Sequence, residues 1–418
     1  MTTGRISLLA AAACIALPIA AQVPVPEGTE IAESYFRVSA WLWLIEQAVV
    51  LALGCFLLGS GLGAAMASRI ERVSGNRWAV AVAGFAGLYA VLYLIVKLPI
   101  DYWQMVKLNP YFGLPTVGVV SWIAQQAVPG VQLAILASVG GLVTLWLIRK
   151  SPRGWWAWTA GAIVAFVVGS LVLDPVLNYS DSEKYVPIDS TEYADWRPRL
   201  NTLLARVDTM DVPIEVWRTT EQDFCRISNS VVGLGPTRKI ILADQIFSVW
   251  DDGQIEAAFA HELKHYLLDN TWLPVAIISV LAVAGCLFVY AVGNYICRHW
   301  NERVGFSSLA VPAAIPLLGV LLQIYVLVAT PVFNLTAQQV ELEADRFALE
   351  LTRNNDARAR VSADRRTCGR LWLPEDTLYA RLYLNTHPSM ATRIRLANEY
   401  RPWETGEPLA YEDLIRFP

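Results

Sequence analysis

Six apolar runs, each long enough to cross a bilayer, decide most of what this chain can fold into. They lie near residues 40–66, 78–100, 128–148, 155–175, 272–296 and 305–330, and a helical crossing takes about 20 apolar residues. A large soluble core does not need such uninterrupted runs. Composition agrees: 55% of residues are hydrophobic, 17% are charged, and there are 16 tryptophans, a residue that gathers at the lipid–water boundary. The lipid bilayer is therefore a partner, and a net charge of −4 argues against nucleic acid as another.

A shorter apolar stretch from Ile6 to Ala21 follows Arg5 and closes on small residues. It reads as a secretory signal peptide, with an uncleaved short first transmembrane helix as the alternative. Sidedness follows from charge. The short segments 67–77, 149–154 and 298–304 carry eight Lys or Arg residues, whereas 22–38 and 101–127 carry only Arg37 and Lys107. Basic short loops stay in the cytoplasm. Both long polar regions, near 178–271 and 331–418, then fall on the outer face. The expected location is a bacterial-type inner membrane, with those regions periplasmic. The expected order is 1–21 as signal or first helix, 22–177 as four spans, 178–271 as the first polar part, 272–330 as two spans, and 331–418 as the second.

The polar regions carry the chemistry. His261-Glu262-Leu263-Lys264-His265 places two imidazoles four residues apart, on one face of a helix, where both can reach one metal ion. Two of the chain's four histidines sit in this motif. A hydrolytic zinc site needs three protein ligands and one open position, and Glu341 in Glu341-Leu342-Glu343-Ala344-Asp345 is the expected third, with Glu343 its rival. Glu262 is placed to take a proton from water beside the ion. Asp345, one turn beyond Glu341, can accept a hydrogen bond from the free imidazole nitrogen of a ligating histidine. Around the motif, helical periodicity appears over 192–208 and strands are expected at 213–218, 227–234 and 239–242. Asp251 or Asp252 can cap the histidine helix, whose apolar face includes Ile255, Ala258, Phe259 and Leu263. Pro331 is expected to end the last span before a new helix bearing Glu341.

Further motifs are Ser228-Asn229-Ser230 before Gly233-Leu234-Gly235, Thr386-His387-Pro388-Ser389 followed by Arg393, and Leu98–Trp103 continuing to Gly113–Thr116. Together with the histidine and Glu341 motifs they resemble the membrane zinc metallopeptidases of the type I CAAX prenyl protease family, gluzincins that include the bacterial heat-shock membrane protease. The resemblance implies a polytopic α-helical membrane protein enclosing a polar chamber. Its zincin-like α+β metallopeptidase domain would be built from two sequence segments. It further implies one Zn2+ per chain on His261, His265 and Glu341, with Glu262 as general base and His387 steadying the oxyanion. Asn229 and Ser228 would hold an extended polypeptide substrate on an edge strand. The resulting expectation is an endopeptidase acting on membrane or envelope polypeptides. CAAX-type prenyl-protein processing is the alternative, and it ranks second because that reaction is cytoplasmic whereas this site is oriented outward. The rival of another class is a non-catalytic chaperone or transporter-like protein with a retained zinc site. Cys225 and Cys368 would both face outward, and whether they form a disulfide stays open.

Overall fold

The computed structural model describes residues 22–220, 229–267, 272–364 and 371–417. Six of its helices are long and apolar enough to cross a membrane. The stretch 1–21, Ser228, Cys225 and Cys368 lie outside the described residues, and with them the signal-peptide and disulfide expectations.

The first span, α1 (Glu30–Gly59), starts ten residues before its apolar run. Thr29 caps it, its hydroxyl accepting from the Ala32 amide at 3.2 Å, and Glu30 and Glu33 sit in the first turn. Those acids favour the positive end of the helix dipole. The run itself breaks at Gly61, whose φ of +71° lies in the left-handed region. The amphipathic helix α2 (Leu62–Val73) follows. Next come α3 (Trp78–Tyr102), α4 (Val119–Lys150) and α5 (Trp155–Asn178). Helix α3 absorbs Leu98–Tyr102, so that part of the expected inter-helix loop is still helical. Lys97 on α3 lies 2.7 Å from Asp101 and 3.3 Å from Glu46 of α1, an ion triad that ties the two spans together.

The chain next builds a four-stranded sheet, whose first strand precedes a short helix, α6 (Arg197–Ala205), and then forms the histidine helix α7 (Asp252–Leu267). It then re-enters the bundle as α8 (Trp272–His299) and α9 (Ile315–Thr352). The expected break at Pro331 is absent: α9 runs through it for 38 residues, from the apolar span to Glu341 and beyond. The boundary expected at 330–331 therefore falls inside one rigid element. Membrane helices tolerate an internal proline when neighbours satisfy the freed backbone groups, and Pro99, Pro129 and Pro175 also lie inside helices here.

The strands are β1 (Tyr185–Pro187), β2 (Ile214–Trp217), β3 (Ser230–Val232) and β4 (Lys239–Ala243), in the order β1-β2-β4-β3. Strands β2 and β4 are parallel, while β1 and β3 join antiparallel at the edges. Val216, Ile240, Leu242, Ile255, Phe259 and Leu263 are fully or almost fully buried where α7 packs on this sheet. A separate apolar cluster, including Phe85, Leu145 and Trp155, fills the transmembrane bundle.

Candidate metal centre

The histidine helix is capped by Asp251, whose carboxylate accepts from the Gln254 amide at 3.0 Å. Its apolar face is pinned to the sheet, so the opposite face is fixed in direction. That face presents His261 and His265 to α9. Two helices with separate sequence origins thereby meet with their polar groups converging.

His261 Nε2 lies 3.3 Å from His265 Nε2 and 3.2 Å from Glu341 Oε2, and His265 Nε2 lies 3.4 Å from Glu341 Oε1. Ligand bonds of about 2.0–2.1 Å at tetrahedral angles place donor atoms about 3.3 Å apart. The separation of the two imidazole nitrogens and the distance from each to its nearer Glu341 oxygen are close to that value, so this donor set fits a tetrahedral zinc ion. Among the described residues, these three form the group of His, Cys, Asp and Glu side chains close enough to hold a metal. Glu343 is turned elsewhere: Arg346 and the Tyr411 hydroxyl take its carboxylate.

Behind the ligands, His261 Nδ1 lies 2.8 Å from Asp345 Oδ1. With Asp345 accepting that N–H, the Nε2 lone pair of His261 points toward the other two ligands. Burial alone would lower the imidazole pKa, but Asp345 and Glu341 outweigh it and raise it. Asp345 is 1% exposed. It also accepts from two guanidiniums, Arg393 in α11 (Met390–Glu399) and Arg358 in α10 (Asn355–Ala363). Neither arginine received a role from the sequence. Arg393 was visible only as a motif position, and Arg358 carried no signal, since its meaning arises from a tertiary contact.

Glu262 is buried beside the ligands, and burial pushes its carboxyl pKa up, with the two imidazoles acting in the opposite sense. Lys264, on the far side of the motif, reaches the Val340 carbonyl at 3.5 Å and so docks α7 on α9 next to Glu341.

His387 arrives on a segment that α9 holds in place. Gln338 Nε2 donates to the Arg381 and Asn385 carbonyls at 2.8 and 2.7 Å, and Asn334 donates to the Leu382 carbonyl at 3.0 Å. His387 Nε2 then stands 3.5 Å from Glu341 Oε2, exposed toward the cavity. That cavity, about 450 Å³, is lined by His261, Glu262, His265, Glu341 and His387 together with Asn229–Val231 of the sheet edge. Strand β3 is an edge strand, paired on one side only with β4. The Asn229 side chain itself is engaged: its Oδ1 accepts from the Ala243 amide at 3.1 Å, fastening the start of the edge strand to β4.

Comparisons with known proteins place the chain beside membrane metallopeptidases. Residues 202–401 match the family described as peptidase family M48. Residues 20–178 match the CAAX prenyl protease N-terminal region, described as five membrane helices; the described residues up to 178 hold four spans. The chain is 24% identical over 381 residues to a Bacillus subtilis protein described as the uncharacterized metalloprotease YhfN, covering 90% of this chain and 86% of that one. The crystal structure of S. mikatae Ste24p superposes with a TM-score of 0.69 at 18% identity, over 88% of each chain, which is a likeness of fold.

Proposed function

Because the chain belongs to peptidase family M48 and is a membrane metalloendopeptidase, we propose that zinc is its metal and that it hydrolyses membrane or envelope polypeptides. The observation that carries this reading is the convergence of His261, His265 and Glu341 in one cavity with Glu262 and an open sheet edge. Zinc bound there supplies a Lewis acid for the scissile carbonyl and for water.

The chain's own residues do the rest. An extended substrate pairs with the free edge of β3, which presents unpaired backbone groups beside the site. Asn229 serves this by fixing the edge strand, and Ser228 is the adjoining substrate position carried over from the family resemblance. Glu262, acting as a carboxylate whose proton affinity is raised by burial, takes the proton from water and passes it to the leaving amine. His387 donates toward the developing oxyanion from the cavity wall. Asp345 keeps His261 in the tautomer that leaves Nε2 free.

The same reading places the site in a bacterial-type inner membrane with the catalytic face periplasmic. This orientation favours general proteolysis over prenyl-protein processing. The test is metal exchange on the purified chain. Chelation should abolish cleavage of an unfolded polypeptide, and one equivalent of Zn2+ should restore it. Cleavage that persists without metal would remove the proposed chemistry.

A further inference from the structure

The carboxylate behind His261 is held more tightly than a histidine partner requires. Asp345 Oδ1 accepts from His261, from Arg358 Nε at 3.0 Å and from Arg393 Nη2 at 2.7 Å, while Oδ2 accepts from Arg393 Nε at 2.7 Å. Arg358 Nη2 bonds to the same Oδ1. The arginines approach from different helices, α10 and α11, and the Arg358 side chain is only 3% exposed. With one guanidinium, the carboxylate is free to turn about its final torsion toward that cation. Here Arg393 spans both oxygens and Arg358 adds two donors to Oδ1, the oxygen that meets His261, so the direction of that oxygen toward the imidazole is set.

Charge balance separates the two arginines. Against the cost of burial, Arg393 draws on Asp345 and also on Glu341 and Glu262. Arg358 draws first on Asp345, to which both of its guanidinium hydrogen bonds run, and less on Glu341. Its hydrogen-bonded route to the ligands therefore runs through that carboxylate.

We propose that Arg358 is a positioning residue of the metal site, acting through Asp345 to fix the imidazole of His261. This rests on the zinc reading above, because what Arg358 orients is a ligand. A bare staple between α10 and α9 would stabilise the fold without touching metal affinity, and that difference is measurable.

The experiment is chelator competition for Zn2+ on the purified full-length chain, with thermal melts alongside. The variants are Arg358→Met, Arg358→Lys, Asp345→Asn and the double variant Asp345→Asn with Arg358→Met. Arg358→Met should weaken zinc by about 10–100-fold, the usual cost of losing a partner behind a ligand. Arg358→Lys, which keeps the charge but loses the fork, should fall between wild type and Met. In the Asp345→Asn background the Met substitution should weaken zinc no further. A lowered melting temperature with wild-type zinc affinity would overturn the proposal, as would losses that multiply in the double variant. If Arg358→Met does not fold, Arg358→Lys in both backgrounds gives the same comparison. A wild-type chain that binds no zinc overturns the zinc reading itself, an outcome distinct from unchanged affinity in the variants.

Discussion

At the scale of single residues, the site is a problem of which atoms converge, and the two acids of one motif show how sharply that is decided. Glu341 and Glu343 are two residues apart on one helix, about 200° around its axis. Only Glu341 faces the imidazoles, while Glu343 is spent on Arg346 and Tyr411. Glu341→Ala should therefore lose zinc outright in chelator competition, and Glu343→Ala should keep nearly wild-type affinity. Asp345→Ala should keep the metal but bind it about 10–100-fold more weakly. Should Glu343→Ala prove the more damaging of the two acids, the ligand set is wrong by half a turn. The histidine pair, its helix and the Asp345 contact were legible in the sequence because their spacings are local and fixed by helix geometry. Arg358 was not: its partner is 13 residues away, across a turn between two helices, and its neighbours carry no motif.

At the scale of elements, length and capping matter as much as hydropathy. The apolar run near 40–66 concealed both the polar start of α1 at its Thr29 cap and the break at Gly61, because hydropathy registers neither a capping hydroxyl nor a positive φ. Pro331 misled for the opposite reason: a rule drawn from water-exposed helices does not hold in membrane helices, which tolerate an internal proline, and α9 runs through it. Strand β1 was invisible: three residues ending in proline pair only because β2 is there to receive them. The hairpin joining β3 to β4, by contrast, announces itself through Gly233-Leu234-Gly235. Gly233 has φ of +86°, and a Cβ there would lie 2.3 Å from the Thr237 carbonyl oxygen. Gly233→Ala should cost about 1–3 kcal/mol and displace the substrate edge, read as a lower melting temperature and a higher KM with zinc content unchanged. An alanine variant that melts and turns over like wild type would show that the hairpin does not set that edge.

At the scale of the whole molecule, α9 is one continuous element from the middle of the bundle to the metal, so the peptidase part and the membrane part are mechanically joined. The sheet, α7 and α11 are assembled on its polar end, and the same helix holds the segment that delivers His387. Sidedness is the property this architecture leaves to charge. Eight basic residues in three short loops stand against two in the opposing short segments, and under the positive-inside rule the proposed orientation puts those loops in the cytoplasm. A reporter active only in the periplasm should therefore be active when fused after Pro418 and silent when placed within 149–154. The reverse pattern would turn the site to the cytoplasm and favour CAAX-like processing. Hydrolysis driven by Glu262 at a zinc centre is what Glu262→Gln probes, because that change preserves shape and removes the base. Cleavage of a quenched peptide by the zinc-loaded variant should fall by about 10²–10⁴-fold, with zinc stoichiometry and melting temperature kept. Turnover at the wild-type rate in a variant shown to hold its zinc would contradict it.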